Sequence, residues 1–304
     1  MSQPGPGYGP SPAGAQPAAR VVVAAFWMIG AVVSFSSMAV AGREISVELD
    51  TFEIMFYRSL IGVVIVVALA RMAGTHGQIT RRSPWLHTLR NLFHFAGQNL
   101  WYFAVATIPL AQVFALEFTS PLWALVLSPL ILGERLTRVR VLAACIGFAG
   151  ILIVTRPSPE TLSFGLVAAA LAAIGFAGSA VFTRRLTRTE TLTCILFWMV
   201  TLQTVMGLFC AGADGDIALP TTAALPWLAV IAIGGLVAHF CLTTALSMAP
   251  ATIVMPVDFF RLPVIALVGW LLYAETVDMF VFVGAAVIFG SNYLNIWIET
   301  RRKA

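Results

Sequence analysis

The chain is 304 residues long, 59% hydrophobic and only 11% charged, with a formal net charge of +4. Soluble domains carry about 25% charged residues, so a water-soluble globule of this size is excluded, and the small positive balance is not a nucleic-acid signal. The composition requires a bilayer as solvent and makes this an integral membrane protein.

Residues 1–20 are rich in Pro, Gly, Ala, Ser and Gln and reach their first charge at Arg20. They read as a disordered tail without the basic start of a cleaved signal peptide. Ten apolar runs follow, near 21–41, 52–70, 86–107, 110–132, 139–155, 163–183, 192–211, 225–247, 251–273 and 277–298. Each is long enough to cross about 30 Å of hydrocarbon at about 1.5 Å per residue.

The connections fix an orientation. Arg20, the group Arg71, Arg81, Arg82 and Arg90, the group Arg135, Arg138 and Arg140, the group Arg184, Arg185 and Arg188, and the terminal Arg301, Arg302 and Lys303 all fall on one side. The other side has Arg43 and Arg156 among Glu44, Glu48, Asp50, Asp214, Asp216 and Asp278. The positive-inside rule predicts a multi-pass protein of the cell inner (plasma) membrane with both termini cytoplasmic.

The chain repeats itself. Glu117 and Asp258 lie 141 residues apart, as do Pro109 and Pro250, and Glu134 and Glu275. Each carboxylate follows its proline by eight residues, deep in an apolar run. A half of five spans is odd, so the second copy enters from the opposite face. The charges agree: Arg135, Arg138 and Arg140 have no basic counterpart at 276–281. Residues 21–155 and 162–298 are thus read as two inverted halves, with a linker at 156–161 and a basic tail at 299–304. Phe35/Phe176, Ala104/Ala245 and Phe118/Phe259 repeat at the same offset.

Four tracts carry a family likeness: Phe56-Tyr57-Arg58-Ser59-Leu60, Ile108-Pro109-Leu110-Ala111 through Ser120-Pro121-Leu122, Leu132-Gly133-Glu134-Arg135-Leu136-Thr137, and Gly147-Phe148-Ala149-Gly150-Ile151. They resemble the ten-helix, EamA-type branch of the drug/metabolite transporter superfamily over residues 21–298. The second copy departs from the pattern, with Tyr273-Ala274-Glu275-Thr276 and with Gly284 and Gly290 in its last span. The resemblance implies an all-α membrane fold of ten transmembrane helices in two inverted five-helix repeats. It also implies alternating-access transport of a small-molecule metabolite through a cavity between the halves.

Ionisable groups in hydrocarbon are costly and mark candidate sites. Eight helical residues span about 12 Å, so Glu117 and Asp258 approach the midplane from opposite faces. Pro121 and Pro263 each break the helix beside one acid. Glu117 has no basic residue within one turn, which suggests a protonatable or cation-binding role; Asp258 and Arg261, three apart, either neutralise each other or share a substrate. Arg58 is a cavity or fold-stabilising cation. His94, Gln98 and Trp101 share a face of the third span, and His239 lies on the eighth. All are candidates for lining a cavity or are satisfied structurally. Trp27, Phe35 and Phe176 read as packing or lipid contacts. Glu134 and Glu275 read as helix-boundary residues.

Cys145, Cys194, Cys210 and Cys241 form no CxxC and no cluster with His along the chain, so they read as buried small residues, and no metal or cofactor is expected. GxxxxGK[ST], HExxH and GxSxG are absent, which argues against ATP hydrolysis and those enzymes. The favoured reading is a secondary transporter of a small polar or amphipathic metabolite, with proton coupling open. An uncoupled facilitator or exchanger, or an intramembrane lipid-modifying enzyme, are the alternatives. Gly147 and Gly150 suit packing within one chain or across a homodimer.

Overall fold

The computed structural model describes residues 18–133, 137–156, 162–213, 215–249, 257–276 and 278–301. All regular structure among them is helical. The first half comprises α1 (Ala18–Ile45), α2 (Thr51–Met72), α3 (Pro84–Thr107), α4 (Leu110–Glu117), α5 (Ser120–Leu132) and α6 (Arg138–Thr155). The second comprises α7 (Phe164–Leu186), α8 (Leu192–Ala211), α9 (Leu225–Met248), α10 (Arg261–Tyr273) and α11 (Met279–Arg301).

Helix ends follow local chemistry. Asp50 accepts from the Phe52 and Glu53 amides while Glu53 accepts from the Asp50 amide, a capping box that starts α2. Ser163 and Thr191 cap α7 and α8 by accepting from the amides of Leu166 and Cys194. Gly133, at φ 68°, closes α5 in the left-handed region.

Among the described residues, eight stretches are long and apolar enough to span a membrane, with α4 and α5 counted together as Leu110–Leu132. The two other expected spans have identifiable reasons for falling short. α3 carries His87, Arg90, Asn91, His94, Gln98 and Asn99, all buried against other helices. The ninth is interrupted, and its described helix, α10, has only 13 residues. Glu134, Arg135, Asp214, Pro250, Pro256 and most of the 1–20 and 156–161 segments lie outside the described residues.

The halves interlock rather than standing side by side. α1 packs on α9, α3 on α7, α2 on α8 and α6 on α11. Moving every residue by the 141-residue repeat turns the α1–α9 contact into α7–α3, and maps α2–α8 and α6–α11 onto themselves. A pseudo-two-fold axis between the halves produces that pattern.

Small residues allow the close approaches, as usual where lipid removes the hydrophobic drive between helices. A Cβ on Gly175 would lie 2.6 Å from Gly97 Cα, and one on Gly284 2.7 Å from the Gly150 carbonyl oxygen. A Cβ on Gly147 would overlap Leu122. Gly147 and Gly150 therefore pack within the chain. The outer faces present large apolar side chains such as Leu130, Phe164 and Phe209 to lipid.

Candidate functional site

The span containing Glu117 breaks at Glu117 itself. After the regular bond from the Phe118 amide to the Phe114 carbonyl the backbone tightens: the Thr119 amide and hydroxyl both donate to the Leu116 carbonyl, three residues back. Pro121 supplies no amide to the next turn. In the other half, Val257–Asp258 is helical and a turn at Phe259–Phe260 leads into α10, which begins with Arg261. The two breaks meet inside the protein and bring three charges together.

Arg261 is 5% exposed and serves both acids. Its Nη1 donates to Glu117 Oε1 at 3.0 Å and its Nη2 to Asp258 Oδ2 at 3.0 Å. Trp101 Nε1 donates to the second Glu117 oxygen at 2.8 Å. The expectation of an unshielded Glu117 is thus corrected: its cation comes from 144 residues away, which no local window shows. The Asp258–Arg261 pair expected within one turn is present, but it is only half of the arrangement. Asp258 Oδ1 and Arg261 Nε are buried without a partner.

Aromatic rings enclose the guanidinium. Its carbon lies 4.7 Å from the Phe35 centroid, 5.0 Å from Phe118 and 5.4 Å from Phe114. Phe118 adjoins its repeat counterpart Phe259, which in turn meets Phe289. Phe35 also meets the exposed His239 edge-on at 5.6 Å. His94 faces Phe176 at 6.0 Å. Phe35 and Phe176 pack against the core, as expected, and each also stands beside a polar group: Phe35 beside Arg261 and His239, Phe176 beside His94. Gln98, one turn beyond His94, buries an unpartnered Oε1. Phe35, Phe118 and Phe259 all belong to the pairs that recur at the 141 offset.

A second polar group lies among α2, α3, α7 and α8. Arg58 Nη2 donates to Gln203 Oε1 at 2.8 Å, and Gln203 Nε2 reaches Asn91 Oδ1 at 3.4 Å. Arg90, 7% exposed, donates to the same Asn91 oxygen and to Thr183 Oγ1, each at 3.2 Å. Neither arginine forms an ion pair among the described residues. Arg90, Asn91 and Gln203 were not singled out in the sequence, because Arg90 counted as a loop charge.

Glu275 is more than a boundary residue. Arg43 pairs with it and also donates to the carbonyls of Val105 and Ile108. Both Glu275 carboxylate oxygens accept from the Leu110 amide, at 3.0 and 3.2 Å, at the start of α4. The two halves are therefore tied together at the acidic face, one by its cation and helix start, the other by its carboxylate.

Helices interrupted at buried charges, contributed by two inverted halves, define a membrane carrier of the inverted-repeat class. The model of the EamA-like transporter family matches residues 22–156 and again 163–297. The chain belongs to that family and is a multi-pass membrane transporter, not an enzyme. It is similar to a riboflavin transporter of Rhizobium johnstonii, 29% identical over 93% of this chain and 94% of that protein. It is also similar to an S-adenosylmethionine uptake transporter of Rickettsia bellii, 25% identical over 90% of this chain and 94% of that one. A protein of known crystal structure shares the fold with a TM-score of 0.62 at 18% identity, covering 92% of this chain and 99% of that one.

Proposed function

We propose that the chain is a secondary transporter of the inner (plasma) membrane, with cytoplasmic termini, whose halves alternate access around the Glu117–Arg261–Asp258 cluster. The observation that carries this reading is the sharing of one buried guanidinium between carboxylates from the two halves. Any rocking of one half against the other must change that sharing. The ionised trio has one surplus negative charge in a region of low dielectric, which a proton or a cationic group of the substrate would neutralise. Asp258 Oδ1, buried and unpartnered, is the natural acceptor.

The substrate class follows from the walls. Phe35, Phe118 and Phe259 offer ring faces beside the charged trio, while Arg58 and Arg90 offer uncompensated positive charge. A flat heteroaromatic metabolite with a polar or charged tail suits this combination, and the relatives are named for riboflavin and S-adenosylmethionine. The tie at Glu275 supplies a closing element at the acidic face.

The test is uptake of radiolabelled riboflavin and S-adenosylmethionine into proteoliposomes with and without an imposed proton gradient. Asp258→Asn is expected to abolish gradient-driven accumulation while leaving counterflow measurable. Uphill uptake unchanged in that variant would remove the coupling. Saturable flux that never runs uphill in the wild-type protein would indicate a facilitator.

A further inference from the structure

We infer that His87, Glu190 and Cys194 form a zinc-type metal site at the basic face, separate from the transport cluster. The three residues come from α3, the α7–α8 corner and the first turn of α8, and one donor atom from each lies within 4.8 Å of the others. The chain shows no metal motif because the fold, not the spacing, assembles the set: His87 and Cys194 are 107 residues apart. All three are buried, at 1%, 8% and 0% exposure.

The distances suit a tetrahedral ion. Cys194 Sγ lies 3.9 Å from His87 Nε2, and in a zinc site with bonds of about 2.3 Å to sulfur and about 2.0 Å to nitrogen those atoms sit about 3.5 Å apart. A contraction of a few tenths of an ångström brings that pair to ligand spacing, and Glu190 closes on it from within 4.8 Å. Thr80 closes the fourth side: its Oγ1 is 2.7 Å from Glu190 Oε2 and 3.8 Å from Cys194 Sγ. Trp198 Nε1 holds the Thr80 carbonyl at 2.8 Å, which fixes the connection against α8.

A second, independent observation points to a ligand. Glu190 Oε1 is buried with no hydrogen-bond partner, and no Lys or Arg pairs with Glu190 among the described residues. The Thr80 hydroxyl serves only the other oxygen, and a buried carboxylate left half unsatisfied is costly. A divalent cation bound by one thiolate and one carboxylate forms a neutral unit and removes the cost. Sulfur, imidazole and carboxylate donors together select zinc over magnesium or calcium. Such an ion joins His87 of the first half to Glu190 and Cys194 of the second. The site goes beyond the transport reading and stands without it.

The experiment is elemental analysis of full-length protein purified without chelator, followed by stripping and reconstitution with zinc or cobalt. About one zinc per chain is expected, with His87→Ala and Cys194→Ser each losing it. The cobalt-loaded wild-type protein is expected to show the thiolate-to-cobalt charge-transfer band of a cysteine ligand. Added zinc is expected to raise the melting temperature of stripped wild-type protein and to leave that of Cys194→Ala unmoved. Substoichiometric zinc, together with no thiolate band in cobalt-loaded wild type, overturns the site even where the variants fail to fold. Stoichiometric metal that survives in both variants overturns it equally. None of these readouts depends on transport, so a failure of the transport reading leaves them interpretable.

Discussion

Arg261 is the residue on which the interior depends. It satisfies two carboxylates, contacts three aromatic rings and is itself almost wholly buried. Removing one partner of a buried ion group leaves uncompensated charge, at a cost of about 3–5 kcal/mol, whereas removing all the charges together is often neutral. Arg261→Ala is therefore expected to lower the melting temperature in detergent sharply. The triple change Arg261→Met, Glu117→Gln and Asp258→Asn is expected to recover most of that loss while transport stays absent. Recovery of transport along with stability would show that the cluster only holds the fold. Trp101→Phe keeps the ring and deletes the 2.8 Å bond to Glu117. It is expected to cost about 1–2 kcal/mol in stability and to raise KM more than it lowers kcat.

At the scale of the helix, the elements that packed in the expected way are those whose apolar runs are uninterrupted. α7 and α8 begin at caps visible as Ser163 and Thr191, and α5 ends at Gly133, so chemistry within a few residues decides them. α3 was placed correctly although its polarity argues against a lipid-facing helix; burial between α7 and other helices resolves the conflict. The carboxylates Glu117 and Asp258 were legible because a charge in an apolar run is conspicuous, and the repeat paired them. Arg261 is legible as the neighbour of Asp258, but its bond to Glu117 is not, because that pair spans 144 residues. The Arg58–Gln203–Asn91–Arg90 chain escaped for the same reason, and the cysteine near His87 likewise. Close helix contacts are equally long-range. Gly175 meets Gly97 and the Phe93 carbonyl at distances where a methyl group cannot fit, 2.6 and 2.8 Å. Overpacking of this kind costs about 1–3 kcal/mol. Gly175→Ala is expected to reduce the folded yield and broaden the size-exclusion peak, and Gly175→Leu to abolish the monodisperse species. Gly290, whose Cβ would meet nothing within 4 Å, is the control at which alanine is expected to be silent.

For the whole molecule, the tie at Glu275 is a closure at the acidic face, and the repeat sets a second arginine at the equivalent position of the other half. Arg43 and Glu275 join the halves at the acidic face, and the Leu110 amide completes the arrangement. The residues 141 positions away are Arg184, in the last turn of α7, and Glu134, which lies outside the described residues. The 141-residue offset thus places Arg184 in the first-half arginine's equivalent position, in the last turn of α7. Weakening the Arg43–Glu275 tie is expected to shift the population toward the state open at the acidic face, and removing the Arg184 side chain toward the state open at the basic face. A cysteine placed at Phe118, beside Arg261, reports that balance through labelling by an impermeant maleimide added to one side of oriented vesicles. Arg43→Ala is expected to raise labelling from the acidic face and lower it from the basic face. Arg184→Ala is expected to do the reverse. A coupling of about 1–3 kcal/mol corresponds to changes of about five-fold or more. The double variant is expected to return toward the wild-type ratio, because the two shifts oppose each other. Changes of the same sign in the two single variants would show that the arginines hold the fold alone, and that the pseudo-symmetry seen in the packing does not extend to the gates.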